Sequence, residues 1–279
     1  MDKENSKNSK KSRRKRSGKR KLPIVLAAVA ATIAVALVVL FFAPFFSINT
    51  ISSEAFEHYS AEKIESYLEE YIGVNGFRAV LKNSSLRQSK SFFSMELVDA
   101  EEKIMFDCPY LENVCVKYVP GRTLSVTADE RRPSFMTEYY DTYLLCDTHG
   151  IVLETFTKEN VPEGMPLVKG ISLSGYKLGR SISDGKNKNI DTAIRVCGLM
   201  SQLEIDGYID IADVSDYNNI YLYCAPSLTV KIGGPEDMGV KLSLLKGVFD
   251  KGLNGESNGL LTVADGKQAT FIKNGERED

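Results

Sequence analysis

The segment from Leu22 to Phe46 constrains this chain more than any other part of it. It contains no charged residue, and its one polar side chain is that of Thr32. Pro23 and Pro44 bracket twenty residues, and a helix of that length spans the roughly 30 Å hydrocarbon core of a bilayer. A buried core helix so long normally has a polar face, and the apolar part of a cleaved signal peptide has only about 7–15 residues. We therefore predict an uncleaved transmembrane signal anchor over residues 22–46.

The distribution of charge predicts how this anchor is oriented. The whole chain has a net charge of −2, but residues 1–21 carry +9 and the remaining residues −11. Basic residues stay on the cytoplasmic side of a membrane span, so residues 1–21 are predicted to be a cytoplasmic tail that also contacts anionic lipid. The predicted location is the cell membrane, with a single pass and an extracellular C-terminus. This layout argues against a cytosolic enzyme and against a nucleic-acid partner.

The region after the anchor offers few residues for catalysis. It has no Walker A loop, no nucleophile elbow, no H-E-x-x-H motif and no dinucleotide fingerprint. Cys146 and His149 could form a thiol–base pair, but their surroundings are more typical of a strand followed by a turn. Two histidines and five cysteines without a C-x-x-C give no zinc-ligand spacing. The cysteines are interpreted as small buried residues, with a disulfide between Cys108 and Cys115 left open. We predict that the chain is not an enzyme and that it binds neither a metal ion nor a cofactor.

The periodicity after the anchor predicts an α+β fold in two parts. The first part, up to Glu130, has the order strand, helix, helix, strand, strand, and the polar stretch Gly73–Ser94 is predicted to be a long loop. Its predicted elements are a strand at Phe45–Ile51, helices at Ala61–Ile72 and Val98–Phe106, and strands at Val114–Val119 and Thr123–Ala128.

The second part is predicted to be rich in β-structure, with a short polar tail over residues 273–279. Its helices are predicted at Asn189–Leu203 and from Pro235 onward, where a proline and two acidic residues suit a first turn. Its predicted strands are Phe135–Tyr139, Tyr143–Cys146, Ile151–Phe156, Ile220–Cys224, Leu228–Ile232, Gly259–Val263 and Ala269–Ile272.

Several short motifs occur in a characteristic order behind the anchor. They are the segments Cys108–Val116 (C-P-Y-L-E-N-V-C-V), Pro120–Val126 (P-G-R-T-L-S-V), Glu130–Pro133 (E-R-R-P), Leu145–Leu153 with its D-T-H-G turn, and Val230–Gly233 followed by an acidic helix start. Each motif is weak alone. Together, over about residues 20–272, the chain resembles the FtsQ/DivIB family of bacterial cell-division proteins in its Gram-positive form.

The resemblance implies a domain order and a function. A basic cytoplasmic tail (1–21) and a transmembrane anchor (22–46) would precede an extracytoplasmic POTRA domain (45–132) and a mixed β-domain (133–272). The function implied is that of a non-catalytic scaffold of the division complex. It would bind FtsL-type and FtsB/DivIC-type coiled-coil membrane proteins and help to control septal cell-wall synthesis. The resemblance implies that it lies at the division septum.

The resemblance also implies where partners bind. In the family, a partner adds a strand at the C-terminal edge of the β-domain, and an open sheet edge can accept such a strand. The residues expected to bind partners are Leu260, Leu261, Thr262, Val263, Thr270 and Phe271. Glu130, Arg131 and Pro133 are interpreted as a brace at the domain junction.

Two other functions are weighed against the scaffold. One is a POTRA-type envelope chaperone or assembly factor, although such proteins usually carry several POTRA copies and a membrane barrel. The other is a membrane-anchored enzyme acting on the cell wall, which would need a carboxylate pair or a metal site for which no specific candidate stands out. The scaffold is the leading hypothesis.

Overall fold

A computed structural model describes residues 21–83, 94–224, 227–252 and 258–274. The fold is mixed α+β and begins with an apolar helix, α1 (Lys21–Phe42). Within α1, Pro23–Phe42 is long and apolar enough to cross a membrane. The side chains of residues 23–39 are exposed, and only Leu40 and Phe41 near its end are half-buried against the rest of the protein.

The first sheet has three strands among the described residues, in the order β1 (Thr50–Ser53), β3 (Thr123–Glu130), β2 (Leu111–Val119). β1 is parallel to β3, and β2 is antiparallel to it. Burial alternates along β2, so Val114, Val116 and Tyr118 enter the core. The helices of this part are α2 (Ala61–Ser66), α3 (Gly76–Asn83) and α4 (Val98–Asp107). Their buried side chains join those of the strands in one apolar cluster.

Three predictions for this part were wrong in detail. The strand predicted at Phe45–Ile51 is found at Thr50–Ser53 (β1), because Pro44–Phe46 form a 3-10 turn instead. The helix predicted at Ala61–Ile72 ends at Ser66 and is followed by a 3-10 turn at Glu69–Tyr71. The stretch predicted to be a loop contains α3, because Phe77 and Val80 give it a buried face despite its polar composition. Residues 84–93 of that stretch lie outside the described residues. Ser60 caps α2, its Oγ accepting a hydrogen bond from the Lys63 N–H at 3.3 Å.

The second sheet contains nine strands among the described residues. Their order is β12-β11-β10-β9-β8-β7-β4-β5-β6. The strands are β4 (Pro133–Tyr139), β5 (Thr142–Asp147), β6 (Val152–Thr157), β7 (Leu167–Lys169), β8 (Ile211–Asp213), β9 (Ile220–Cys224), β10 (Leu228–Gly233), β11 (Gly259–Thr262) and β12 (Thr270–Lys273). Helices α5 (Lys188–Gln202) and α6 (Met238–Phe249) contribute their apolar faces to the core of this sheet.

The last helix begins later than predicted. α6 begins at Met238 rather than at Pro235, because Asp237 has a left-handed backbone with a φ of 51° and interrupts the helical path. Lys241, in the first turn of α6, is buried and donates a hydrogen bond from Nζ to the Gly234 carbonyl at 2.8 Å. The hydrogen bond from the buried Lys241 side chain therefore fixes the loop before α6.

Candidate functional site

The two sheets meet around Arg131, in the short segment between β3 and β4. The Arg131 guanidinium Nη1 lies 2.7 Å from Asp147 Oδ2 and 3.0 Å from Glu112 Oε2. Its backbone N–H donates to the Tyr110 carbonyl at 2.7 Å. Because Glu112 belongs to β2 and Asp147 to β5, one side chain of Arg131 links strands from both sheets. Asp147 is buried, so this link is largely shielded from water.

Glu130, at the end of β3, fixes the loop before α2. Its carboxylate accepts hydrogen bonds from the backbone N–H groups of Glu57 at 2.9 Å and His58 at 3.1 Å. Burial would raise the pKa of the Glu130 carboxyl, but these hydrogen bonds and the His58 ring together lower it. Glu57, His58 and Glu130 lie close enough to share a metal ion. We assign none, because the Glu130 oxygens already accept N–H groups.

Tyr110 makes a second link between the sheets. Its hydroxyl donates to Glu154 Oε2 on β6 at 2.9 Å, and its ring stacks on the His58 ring with 3.7 Å between centroids. Burial and the hydrogen bond to Glu154 raise the pKa of the Tyr110 hydroxyl. Pro133, the third predicted junction residue, is the first residue of β4, a position where its missing N–H is tolerated.

The C-terminal end of the second sheet differs from the predicted geometry. The strand expected at the open edge, β11, pairs with β10 on one side and with β12 on the other. Among the described residues, the outermost strand on this side is β12, which carries Thr270 and Phe271. The order of pairing places the open edge one strand further along the chain than Leu260–Val263.

The predicted partner-binding side chains fall on different faces. Leu261 and Val263 are buried in the core, whereas Leu260 and Thr262 are half-buried on the opposite face. Phe271 packs against the core from the edge strand, and Thr270 is exposed. Of the two described strands that carry predicted partner-binding residues, β12 is therefore the one that combines backbone groups at the edge with accessible side chains.

The register identifies which backbone groups of β12 point outward. The Asn274 N–H donates to the Asn258 carbonyl at 3.2 Å, and Ile272 pairs with Leu260 two residues earlier. In an antiparallel ladder, every second residue directs its N–H and C=O toward the neighbouring strand. Thr270 and Ile272 thus direct their N–H and C=O groups toward β11, whereas Phe271 and Lys273 direct theirs away from the sheet.

An apolar row crosses the face of this sheet that lies opposite the core. Paired positions on β8 to β12 place its members side by side, and they alternate with the residues that enter the core. The row consists of Ile211, Tyr223, Leu260 and Ile272, with the polar Thr229 between Tyr223 and Leu260. Each of these side chains is at least partly exposed, and the row ends at the open edge. A strand added to β12 would continue this row.

The cysteines are placed as the sequence interpretation expects, with one exception. All five are thiols, including Cys108 and Cys115, and all but the half-buried Cys115 are buried. Burial raises the pKa of the Cys146 thiol and brings that of Cys224 to about 12, which disfavours the nucleophilic thiolate. The His149 side chain is 73% exposed and lies near Asp147. Cys146 and His149 therefore do not form a thiol–base pair.

Several residues of these sites were not predicted. Asp147 was recognised only as part of a turn, because it lies 16 positions after Arg131 and no local pattern connects the two. Tyr110 and Glu154 lie 44 positions apart, and no local pattern connects them. Ile272 and Lys273 were missed because the strand order was unknown.

No family model matches this chain, and no curated protein matches it either. The family resemblance therefore depends on the sequence motifs.

Proposed function

We propose that this chain is a non-catalytic, membrane-anchored scaffold of the FtsQ/DivIB type, acting in bacterial cell division. The observation that carries the proposal is the open edge at β12. There the outward backbone groups of Phe271 and Lys273 lie beside the apolar row that ends at Ile272. Main-chain hydrogen bonds and alternating side-chain contacts are what strand addition uses for affinity and specificity.

The arrangement of the chain supports the same proposal. A basic tail and a helix long enough to span a membrane precede a strand–helices–strand–strand unit and then a sheet-rich unit. We propose that these units are the POTRA domain and the β-domain, outside the cell. The partners are FtsL-type and FtsB/DivIC-type single-pass proteins, and the location is the division septum.

The junction gives the scaffold its rigidity. The contacts of Arg131 with Glu112 and Asp147, and that of Tyr110 with Glu154, connect the unit next to the anchor to the sheet that ends in β12. Such links reduce the freedom of the edge relative to the membrane. A partner anchored in the same membrane then meets the β12 edge at a nearly fixed distance from the membrane. This restriction reduces the entropy that the two proteins lose when they bind.

The edge is tested by Lys273→Pro in the full-length protein, with Lys273→Ala as the matched control. Proline removes the outward N–H of an exposed residue and leaves the bonds to β11 intact, whereas alanine removes only the side chain. We expect Lys273→Pro to reduce capture of the FtsL-type and FtsB/DivIC-type proteins by about tenfold or more, and Lys273→Ala to capture them normally. Equal capture by both variants would refute the proposal that partners bind at the β12 edge.

A fluorescent tag on the cytoplasmic end of the same variants tests the cellular role. The normal chain should form a band at midcell, and Lys273→Pro should weaken that band. Uniform membrane fluorescence of the normal chain during division would contradict the scaffold. Binding of denatured polypeptides would instead indicate an envelope chaperone, and release of cell-wall fragments by the purified chain would indicate an enzyme.

A further inference from the structure

The end of the apolar helix α1 is fixed to α3. The Asn75 side chain, just before α3, donates hydrogen bonds from Nδ2 to the carbonyls of Leu40 at 3.0 Å and Ala43 at 3.2 Å. Leu40 belongs to the last turn of α1, where the helix itself supplies no N–H partner, and Ala43 directly follows the helix. The Phe77 ring contacts the Phe41 ring edge-on, with 6.5 Å between centroids. α3 is therefore held at the depth of the last turns of α1.

An apolar groove of about 350 Å³ lies between these two helices. Its walls are formed by Leu37, Val38, Phe41 and Phe42 of α1, and by Arg78 and Leu81 of α3. Leu81 is 59% exposed, although most apolar residues of α3 are buried. If α1 spans a membrane, this groove opens into the bilayer at the level of its last two turns, so lipid rather than water fills it.

Two cations of α3 lie beside this groove, and one of them, Arg78, forms part of its wall. Arg78 and Lys82 are one helical turn apart on the exposed side of α3, and the Arg78 guanidinium carbon is 5.4 Å from the centroid of the Phe42 ring. In the described part of the chain, no carboxylate forms an ion pair with either side chain. The nearby Glu70 carboxylate is 3.8 Å from the Lys103 ammonium.

A second, more polar cavity of about 530 Å³ lies on the other side of Arg78. Tyr71, Val74, Arg78, Lys82 and Asn83 contribute to its lining, together with Glu70. Arg78 thus separates an apolar groove from a polar cavity. A molecule with an apolar chain and an anionic head, lying across Arg78, would match both surfaces.

We propose that this place is a binding site for an anionic phospholipid from the membrane leaflet at the Phe42 end of α1. One acyl chain occupies the groove beside Leu81, and the headgroup phosphate contacts Arg78 and Lys82. The groove is continuous with the apolar surface of α1, so a membrane lipid reaches it without crossing water. This inference depends on α1 spanning a membrane and is independent of the division role.

The chain contains no tryptophan, so a single introduced indole reports on the groove. The full-length variant Leu81→Trp is reconstituted into phosphatidylcholine vesicles containing a minor fraction of brominated phosphatidylglycerol or, separately, brominated phosphatidylcholine. Tyr140→Trp, at a residue 81% exposed in the second sheet, is the matched control. Both leaflets have the same composition, so the orientation of insertion does not affect the comparison.

We expect brominated phosphatidylglycerol to quench Leu81→Trp at about one twenty-fifth of the concentration that brominated phosphatidylcholine requires, since each of the two basic side chains favours anionic lipid roughly fivefold. Adding Arg78→Gln and Lys82→Gln should abolish this preference, and Tyr140→Trp should show no quenching. Absence of quenching at Leu81→Trp, or equal quenching by the two lipids, would overturn the proposal.

A second measurement does not depend on the tryptophan variant. Native mass spectrometry of the normal chain, released from bilayers of mixed phosphatidylglycerol and phosphatidylcholine, should show one retained phosphatidylglycerol, which Arg78→Gln with Lys82→Gln should lose. Retention by both proteins would refute the site. Flotation of the chain with the vesicles tests the membrane span separately, so a failed anchor is distinguished from a failed lipid site.

Discussion

Arg131 is the residue on which the link between the two sheets most depends. Its side chain is 17% exposed and that of Asp147 only 3%, so the pair is mostly removed from water. Removing one partner of such a pair leaves a buried charge that costs about 3–5 kcal/mol. Asp147 keeps two hydrogen bonds from the N–H groups of His149 and Ile151, both at 2.8 Å. These bonds moderate the cost at this site.

We expect Arg131→Leu to lower the free energy of unfolding by about 2–3 kcal/mol, measured by denaturant unfolding of the second sheet. The neighbouring Arg132 is exposed, so Arg132→Leu should change that free energy by no more than about 0.5 kcal/mol. Similar losses in both variants would show that total charge, and not the contact with Asp147, sets the stability.

At the scale of elements, the regular spacing of apolar residues predicted individual helices and strands, but it did not predict how the strands pair. The apolar positions of α5 repeat with helical spacing, and the predicted helix Asn189–Leu203 agrees with Lys188–Gln202. The strand Ile220–Cys224 was also predicted correctly. The three-residue strands β7 and β8 are too short to show an alternation. The open edge at β12 follows from the order of nine strands, which no local pattern contains.

The packing of α3 against β2 depends on a glycine at the start of the helix. A Cβ on Gly76 would lie 2.2–2.4 Å from ring atoms of Tyr118. Tyr118 cannot move aside, because its ring is fully buried and its hydroxyl donates to the Phe46 carbonyl at 3.1 Å. A side chain at position 76 would therefore displace α3 from the sheet and from the end of α1.

We expect Gly76→Ala to lower the free energy of unfolding by about 1–3 kcal/mol, as overpacking does in other cores. Gly247, inside α6, has open space around its Cβ position, so Gly247→Ala should stabilise the chain by about 0.5–1 kcal/mol through helix propensity. Thermal unfolding of the two variants, followed by circular dichroism, gives the comparison. Destabilisation by Gly247→Ala, or none by Gly76→Ala, would contradict this view of the packing.

The whole molecule is organised around two apolar cores that share no residue in the described part of the chain. One core belongs to the three-stranded sheet and the other to the nine-stranded sheet. The side-chain hydrogen bonds described between them, from Arg131 and Tyr110, are polar and few. Stability that comes from apolar burial is therefore local to each sheet, and opening of one core need not open the other.

This separation predicts a reciprocal pattern of hydrogen exchange in the full-length protein. Leu124 and Leu222 are fully buried, one in each core, and each change to alanine should cost about 3 kcal/mol. Leu124→Ala should accelerate exchange in β2 and β3 about a hundredfold and leave β9 and β10 nearly unchanged, and Leu222→Ala should do the reverse. Equal acceleration in both sheets by either variant would show that the junction at Arg131 and Tyr110 couples the two sheets into one cooperative unit. The edge at β12 would then be only as stable as the core next to the anchor.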